Sequence, residues 1–397
     1  MWRLGFFFHE MAFGLLSVFI PLYVVSPAIG GSLVDLGIMT SIALFSAIPA
    51  SFFWGYICDK TRRFKRYILL SFISATALLY LFTLATNILT FIILYAAMSM
   101  LHVAHEAPKN VLIAEHYSRE EWGKSYALYE GFTEIGWLIG LLIGLFTSVN
   151  AFSADHILLL CSGLNLVAFA LSIILVADPI MIFERRLVSI EKKIDYTYRG
   201  VDAFSKLVDG GYLREKLKTE RFAAFGMGLV LFSLASSLFF TPLPVFFVQE
   251  LAFPTSMVFM VYMLSSGGAV VGYFSAGRSA ASPQAKAYMR RIVLLRSVLV
   301  FLLVVIVNFA FSTTLLASTI LVFLGFAYAF YYILMLSLSM ELIPAGKSGL
   351  FDGLVGLGAA SGSFLGPFLA EILGFLPQFL IASFIFFLAF IVLKIFT

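Results

Sequence analysis

Charged side chains are scarce in this chain. Asp, Glu, Lys and Arg make up 12% of its 397 residues, against roughly a quarter in soluble domains. Cysteine is scarcer still: Cys58 and Cys161 fall near opposite ends of different apolar runs, so no disulfide is expected. A phosphate loop is missing too. Gly-Lys-Ser occurs at 123–125 and 346–348, but each lacks the glycine that opens such a loop. Neither a nucleophile-plus-base arrangement nor the His-Glu-x-x-His order of zinc proteases is present. An enzyme is therefore not expected, and no cofactor is implied.

What fills the chain is apolar. Hydrophobic residues reach 61% and the mean hydropathy is +1.01. A bilayer core of ~30 Å needs about 20 such residues per helix. Spans are predicted near 5–26, 32–58, 67–86, 88–113, 124–148 and 156–177, then near 221–250, 254–278, 288–310, 313–340, 347–374 and 376–396. The fold class is all-α integral membrane, with twelve transmembrane helices in two sets of six. No cleavable leader is expected, because Leu4 runs directly into a span long enough to be retained.

Basic residues orient the chain. Lys60, Arg62, Arg63, Lys65, Arg66, Arg119, Lys124, the run Arg185–Arg221, Arg278, Lys286, Arg290, Arg291, Lys347 and Lys394 all fall on one side. The predicted loops at 27–31, 148–155, 311–312 and 374–377 contain no Lys or Arg. The positive-inside rule then places both termini in the cytoplasm of a multi-pass cell-membrane protein. The net charge of +4 is topological and implies no nucleic-acid partner.

Between the sets lies a polar stretch, 178–220, where Val188, Ile190, Ile194, Val201, Phe204, Leu207, Val208 and Leu217 alternate with charged residues. It reads as an amphipathic linker on the inner leaflet, in contact with membrane lipid. The expected domains are 1–177, the linker 178–220, and 221–397.

The two sets are related. Leu128-Tyr129-Glu130-Gly131, with glycines at 136, 140 and 144, returns as Leu350-Phe351-Asp352-Gly353 with glycines at 358, 362 and 366, a constant offset of 222. Glycines at every fourth position let helices approach closely, so Gly136, Gly140, Gly144, Gly358, Gly362 and Gly366 are read as packing residues. Weakly symmetric halves suit a transporter whose substrate is held between them.

A resemblance now becomes specific. Trp54-Gly55-Tyr56-Ile57-Cys58-Asp59-Lys60-Thr61-Arg62-Arg63 closes the second span. It resembles the signature loop of the major facilitator superfamily: Gly, three residues, Asp, a basic residue, then Gly and further basic residues. Gly55, Asp59, Lys60 and Arg63 match, while Arg62 stands where that family usually has Gly. The second copy, Gly272 to Arg278, has Ala276 in place of the acid. Gly358-x3-Gly362-x3-Gly366-Pro367 looks like a helix motif of the family's antiporters, there in the fifth span and here in the eleventh. The resemblance covers the whole chain and implies a transporter with two six-helix bundles around a central cavity. Gly55, Asp59, Lys60, Arg62 and Arg63 would then form a latch that exists in one of two conformations. Glu130 and Asp352, paired by the repeat near the cytoplasmic helix ends, are read as latch or capping residues.

Residues present in only one half are candidates for the transported species. In the fourth span His102, His105, Glu106 and Lys109 share a helical face by spacing. Their counterparts in the tenth span are Tyr328, Tyr331, Tyr332 and Met335. In the first span His9 and Glu10 lie roughly 8–9 Å in from Leu4, and Glu134 has no partner because the second half carries Gly356. Charges inside a membrane usually face a bundle interior or a water-filled path. A lone histidine is more often a packed core residue, but seven such groups together point to a polar transport cavity. Glu134, Glu106 and Glu10 are leading candidates for carrying protons. The tyrosines could stack on a solute or pack the tenth helix. Two imidazoles and a carboxylate at His102, His105 and Glu106, completed by His9 or Glu10, could instead take a transition metal. The family's frequent Arg in the fourth span is missing near Ala96 and Ala97. The expected function is secondary transport of a small organic solute, with protons as a second partner and the chain acting as a monomer. The alternative is divalent-metal transport, and a membrane sensor or enzyme comes last.

Overall fold

The computed structural model describes residues 1–116, 122–178, 222–280, 282, 284–309, 313–342 and 348–396. Its helices are α1 (Arg3–Val24), α2 (Leu33–Thr61), α3 (Phe64–Phe82), α4 (Ile88–His102), α5 (Glu106–His116), α6 (Trp122–Val149) and α7 (Ala154–Leu175). The second half contributes α8 (Phe222–Phe240), α9 (Leu243–Gln249), α10 (Thr255–Ser279), α11 (Ala285–Phe309), α12 (Thr313–Leu342), α13 (Ser348–Leu373) and α14 (Phe375–Phe396). Together they make twelve spans long and apolar enough to cross a membrane, six on either side of the 178–220 stretch. Among the described residues no strand occurs. The linker expected at 178–220 lies outside the described residues beyond Asp178.

Two spans are broken where the sequence suggested continuous helix. A 3-10 turn, Val103–His105, separates α4 from α5. Pro108 follows it: proline has no N–H for residue 104, and its ring crowds that carbonyl. In the seventh span, α8 stops at Phe240 and α9 restarts behind Pro242, where Pro242 and Pro244 fit the first turn of a new helix.

Helix ends follow local chemistry. Ser32 and Asp35 form a capping box at the start of α2, with Ser32 Oγ accepting from the Asp35 N–H at 3.1 Å and Asp35 Oδ2 accepting from the Ser32 N–H at 2.8 Å. At its other end α2 stops on Arg62, whose backbone is left-handed at φ 54°. That conformation favours glycine, which gives a physical reason for glycine at this place in the resembled motif. Lys65 Nζ donates to the Ile173 carbonyl near the end of α7, and Asp178 accepts from the Lys65 N–H at 2.7 Å. Each charge thus sits at the helix end it complements.

The glycine repeat organises both halves alike. α6 lies on α1, where Gly136 and Gly140 face the Phe7 and Met11 carbonyls. α13 lies on α8, where Gly358, Gly362 and Gly366 face the Val230, Leu234 and Leu238 carbonyls. Backbone meets backbone at these points, so any larger side chain would force the helices apart. Gly144 departs from the pattern. Its neighbour is the Phe259 ring of α10, in the other half.

The halves meet along α6 with α10 and α2 with α13. On the first seam Gly131 faces the Phe274 ring, Gly277 faces Ala127, and the Ser266 hydroxyl donates to Glu134 Oε1 at 2.6 Å. On the second, Gly37 lies against Phe364 and Pro367, the Ser41 hydroxyl donates to the Ala360 carbonyl at 3.0 Å, and Glu371 accepts from the Val34 N–H at 3.0 Å.

Candidate functional site

The expected residues His9, His102, His105, Glu106 and Lys109 are brought together by α1 and by the broken fourth span. Phe6, Phe13 and Phe72 wall the imidazoles, with Phe72 and Phe13 centred 4.5 and 4.6 Å from the His9 ring. His9 and His105 are buried and His102 half-buried.

Neighbouring groups fix where the protons sit. Asn165 donates its amide to the Cys161 carbonyl at 2.9 Å, so its oxygen faces His9 Nδ1 at 2.5 Å. His9 Nδ1 must therefore carry a hydrogen. His9 Nε2, 3.0 Å from His102 Nδ1, is left to accept from it. A second chain starts at Ser71, whose hydroxyl oxygen lies 3.0 Å from the His102 carbonyl oxygen and 3.1 Å from His105 Nδ1. His105 Nε2 faces Glu106 Oε1 at 3.3 Å, so as the Nε2–H tautomer His105 donates to the carboxylate and its Nδ1 accepts from the Ser71 hydroxyl.

The ionic part continues from Glu106. Lys109 Nζ lies 2.5 Å from Glu106 Oε2 and 3.7 Å from Glu130 Oε1, with the Tyr129 ring centroid at 5.5 Å. Glu130, read from sequence as a latch residue, thus joins the ionisable cluster. Glu10 is half-buried on α1, within electrostatic range of Glu106, Lys109, Glu130 and Glu134. The Lys109 side chain is 8% exposed, while that of Glu106 is 40% exposed. Charged groups on α1, α5 and α6 all act on Glu106. Two carboxylates, Glu106 and Glu130, approach one lysine and Glu10 acts on it from α1, so protons or a positively charged group would balance the excess.

The tenth-span tyrosines divide. Tyr328 and Tyr332 stack at 6.1 Å on α12, which packs against α6. Tyr331 turns into its own half and stacks on Phe232 of α8. It does not join the cluster that contains Glu106. Glu134 reaches across the seam to Ser266 rather than to Lys109. Sequence reasoning missed three polar residues. Ser71 and Asn165 are neutral and give little signal in apolar spans. Arg296, a lone cation in the ninth span, was a readable signal.

The residues expected to form a latch are described only in part. The side chains of Asp59 and Asp352 lie outside those described. Among the described residues nothing lies within 4 Å of a methyl group placed on Gly55, Arg62 and Arg63 join α2 to α3, and Lys60 lies over the Tyr56 ring at 5.8 Å.

Twelve membrane-length helices in two matching halves, with ionisable groups gathered between helices, define a multi-pass membrane transporter. The family model described as Major Facilitator Superfamily matches residues 4–367, and the chain belongs to that superfamily. It is 34% identical over 157 residues to Multidrug resistance protein MdtG of Klebsiella pneumoniae (strain 342), covering 38% of this chain and 36% of that protein. It is 36% identical over 145 residues to Multidrug resistance protein MdtG of Enterobacter lignolyticus (strain SCF1), covering 36% of this chain and 34% of that one. The chain thus spans about a third of the length of these relatives. The crystal structure of a mutant of nucleoside transporter NupG superposes with a TM-score of 0.72 over 100% of this chain and 98% of that one, at 13% identity. At that identity the likeness concerns the fold.

Proposed function

We propose that this chain is a secondary transporter that moves a small organic solute by alternating access between bundles 1–177 and 221–397, with protons as the coupled ion. Both termini lie in the cytoplasm, and the working unit is a monomer in contact with membrane lipid. The observation that supports the coupling is the chain His105–Glu106–Lys109, with contacts of 3.3 and 2.5 Å, where a titratable carboxylate sits between an imidazole and a buried ammonium. Glu106, Glu10 and Glu134 are the proton-carrying carboxylates, with Glu134 reporting on the seam through Ser266. Lys109 and Glu130 complete the balance. Tyr328 and Tyr332 offer the solute an aromatic surface, and the name of the MdtG relatives favours an organic cargo. Asp59, Glu130 and Asp352 retain a latch role only as a proposal.

A second reading has its own observation. The imidazole nitrogens of His9, His102 and His105 lie within 4.8 Å of one another. The set fits a divalent metal in part: His9 donates Nδ1–H to Asn165, the outer partner that a ligating imidazole uses. However, ligands of a tetrahedral zinc at 2.0–2.1 Å would stand about 3.4 Å apart. The rings would have to close in, so the organic solute is preferred.

The test is proton flux in proteoliposomes loaded with a pH-sensitive dye. Ethidium, norfloxacin, salicylate and zinc ion are added in turn. An organic probe should move protons with it, and Glu106→Gln should stop the proton flux while solute counterflow continues. Organic movement without proton flux refutes coupling. Movement of zinc alone, lost in His102→Ala, transfers the assignment to the metal.

A further inference from the structure

Arg296 on α11 is fully buried, yet none of its three side-chain nitrogens has a hydrogen-bond partner among the described residues. Four rings from three other helices surround it. Its guanidinium carbon lies 4.9 Å from the centroids of Phe232 and Phe386, 5.3 Å from Tyr328 and 5.5 Å from Phe240. Ring faces offset part of the charge, but they do not accept five directed N–H bonds. Two further donors nearby are also buried without partners: the hydroxyls of Ser236 and Tyr331. Ser236 lies one helical turn from both Phe232 and Phe240, on the same side of α8. Tyr331 stacks on Phe232 and lies within electrostatic range of Arg296. The ionisable groups that act on Arg296 are tyrosines, with no carboxylate among them. A cation and two hydroxyls thus share one set of apolar walls, and no counter-ion is found among the described residues.

We propose that Arg296, Ser236 and Tyr331 form a binding site for an anionic group of carboxylate size. A guanidinium matches a carboxylate by two parallel N–H bonds, and the two hydroxyls supply further donors. The surrounding rings suit an aromatic or aliphatic body. Tyr328 forms the entry. It borders Arg296 and is 39% exposed, on the helix that packs against α6 of the other half. Swinging this ring aside opens the guanidinium to the space between the halves. The site deepens the transport reading by giving the solute an anionic end, but binding is measurable without transport.

The experiment melts the purified full-length protein with benzoate, with benzyl alcohol as its neutral counterpart, and with chloride at matched ionic strength. A ligand of the folded state raises the melting temperature by mass action. Benzoate is expected to raise it and benzyl alcohol to leave it unchanged. A shift with benzoate alone supports an anionic organic solute; an equal shift with chloride supports the same site filled by a free inorganic anion. Ser236→Ala should weaken anion affinity roughly tenfold, as loss of a hydrogen bond to a charged group does, and Arg296→Gln should abolish the shift. Arg296→Met separates binding from a purely structural cation–aromatic role. With the anion site, the unliganded Met variant melts no lower than the native chain; with the structural role, it melts lower. The proposal is overturned if no anion shifts melting, if the shift survives unchanged in Ser236→Ala, or if Arg296→Met melts lower without ligand. Should Arg296→Gln not fold, Ser236→Ala and Tyr331→Phe carry the comparison. A benzoate shift without proton flux in liposomes would leave this site standing and remove only the coupling.

Discussion

Replacing Glu106 by Gln keeps the shape of the side chain and removes half of an ion pair. Lys109 Nζ lies 2.5 Å from Glu106, and the Lys109 side chain is 8% exposed against 40% for Glu106. Breaking a fully buried pair by removing one partner costs about 3–5 kcal/mol, whereas an exposed pair is worth about 0–1 kcal/mol. One buried and one partly open partner place Glu106→Gln near 2 kcal/mol, roughly midway. Glu130, 3.7 Å from the ammonium, remains to offset the rest. Lys109→Met alone leaves Glu106 and Glu130 repelling each other, at a cost of about 1 kcal/mol because Glu106 is partly hydrated. The double variant removes the stranded lysine charge, so it should be less destabilised than the sum of the single variants by about 1–2 kcal/mol. Melting of the four proteins in one detergent, followed by tryptophan fluorescence, measures this coupling as differences of a few degrees. Additivity of the two substitutions to within about 0.5 kcal/mol would refute the pairing.

Other substitutions test separate parts of the structure. Arg62→Gly should gain up to about 1 kcal/mol, because a left-handed residue with a side chain is strained and glycine is not; lower melting would show that the arginine's own contacts outweigh the strain. Gly140→Ala should cost about 1–3 kcal/mol by driving a methyl into the Met11 carbonyl, whereas Gly163→Ala, with open space around it on α7, should gain about 0.5–1 kcal/mol. Equal melting of these two variants would refute the difference in packing. Glu371→Gln replaces the charge at the start of α2 by a weaker acceptor. A thiol reagent should then react faster with Ser41→Cys on the same seam, and an unchanged rate would count against Glu371 as a clasp. Asn165→Leu removes the acceptor that sets the His9 tautomer; the pH profile of solute-driven proton flux should shift, and an unchanged profile would detach this chain from coupling.

Much of this architecture was legible because it rests on strong, local signals. Apolar length gives the spans, and the spacing of Gly136, Gly140, Gly358, Gly362 and Gly366 gives the packing that recurs in both halves. Other features depend on what lies across the gap. Gly144 has the right spacing but faces Phe259 of the other half, which no periodicity reveals. Glu130 and Asp352 correspond by repeat, so sequence grouped them, yet the Lys109 that approaches Glu130 exists in one half alone. The faces of the fourth span were read on an unbroken helix, and Pro108 changes the register just before Glu106. Tyr331 matched its neighbours by spacing but turned toward Phe232. Ser71 and Asn165 act through hydrogen-bond direction, which a polar letter in an apolar run does not encode.

The two seams between the halves differ in what fills them. Where α6 meets α10, rings and methyl groups lie between the backbones, a surface that tolerates rolling as side chains change rotamer. Along α2 and α13 the fit tapers. Gly37 sits against main chain at one end, Gly353 barely reaches the Phe52 ring further along, and among the described residues no atom comes within 4 Å of a methyl group placed on Gly55. Within each half, carbonyl-against-glycine packing of α1 on α6 and α8 on α13 leaves little play. The proposed alternating access would then turn two stiff blocks about the close contact beside Gly37. A bulky residue at Gly55 should therefore act as a doorstop, limiting the swing of the blocks without loosening either one.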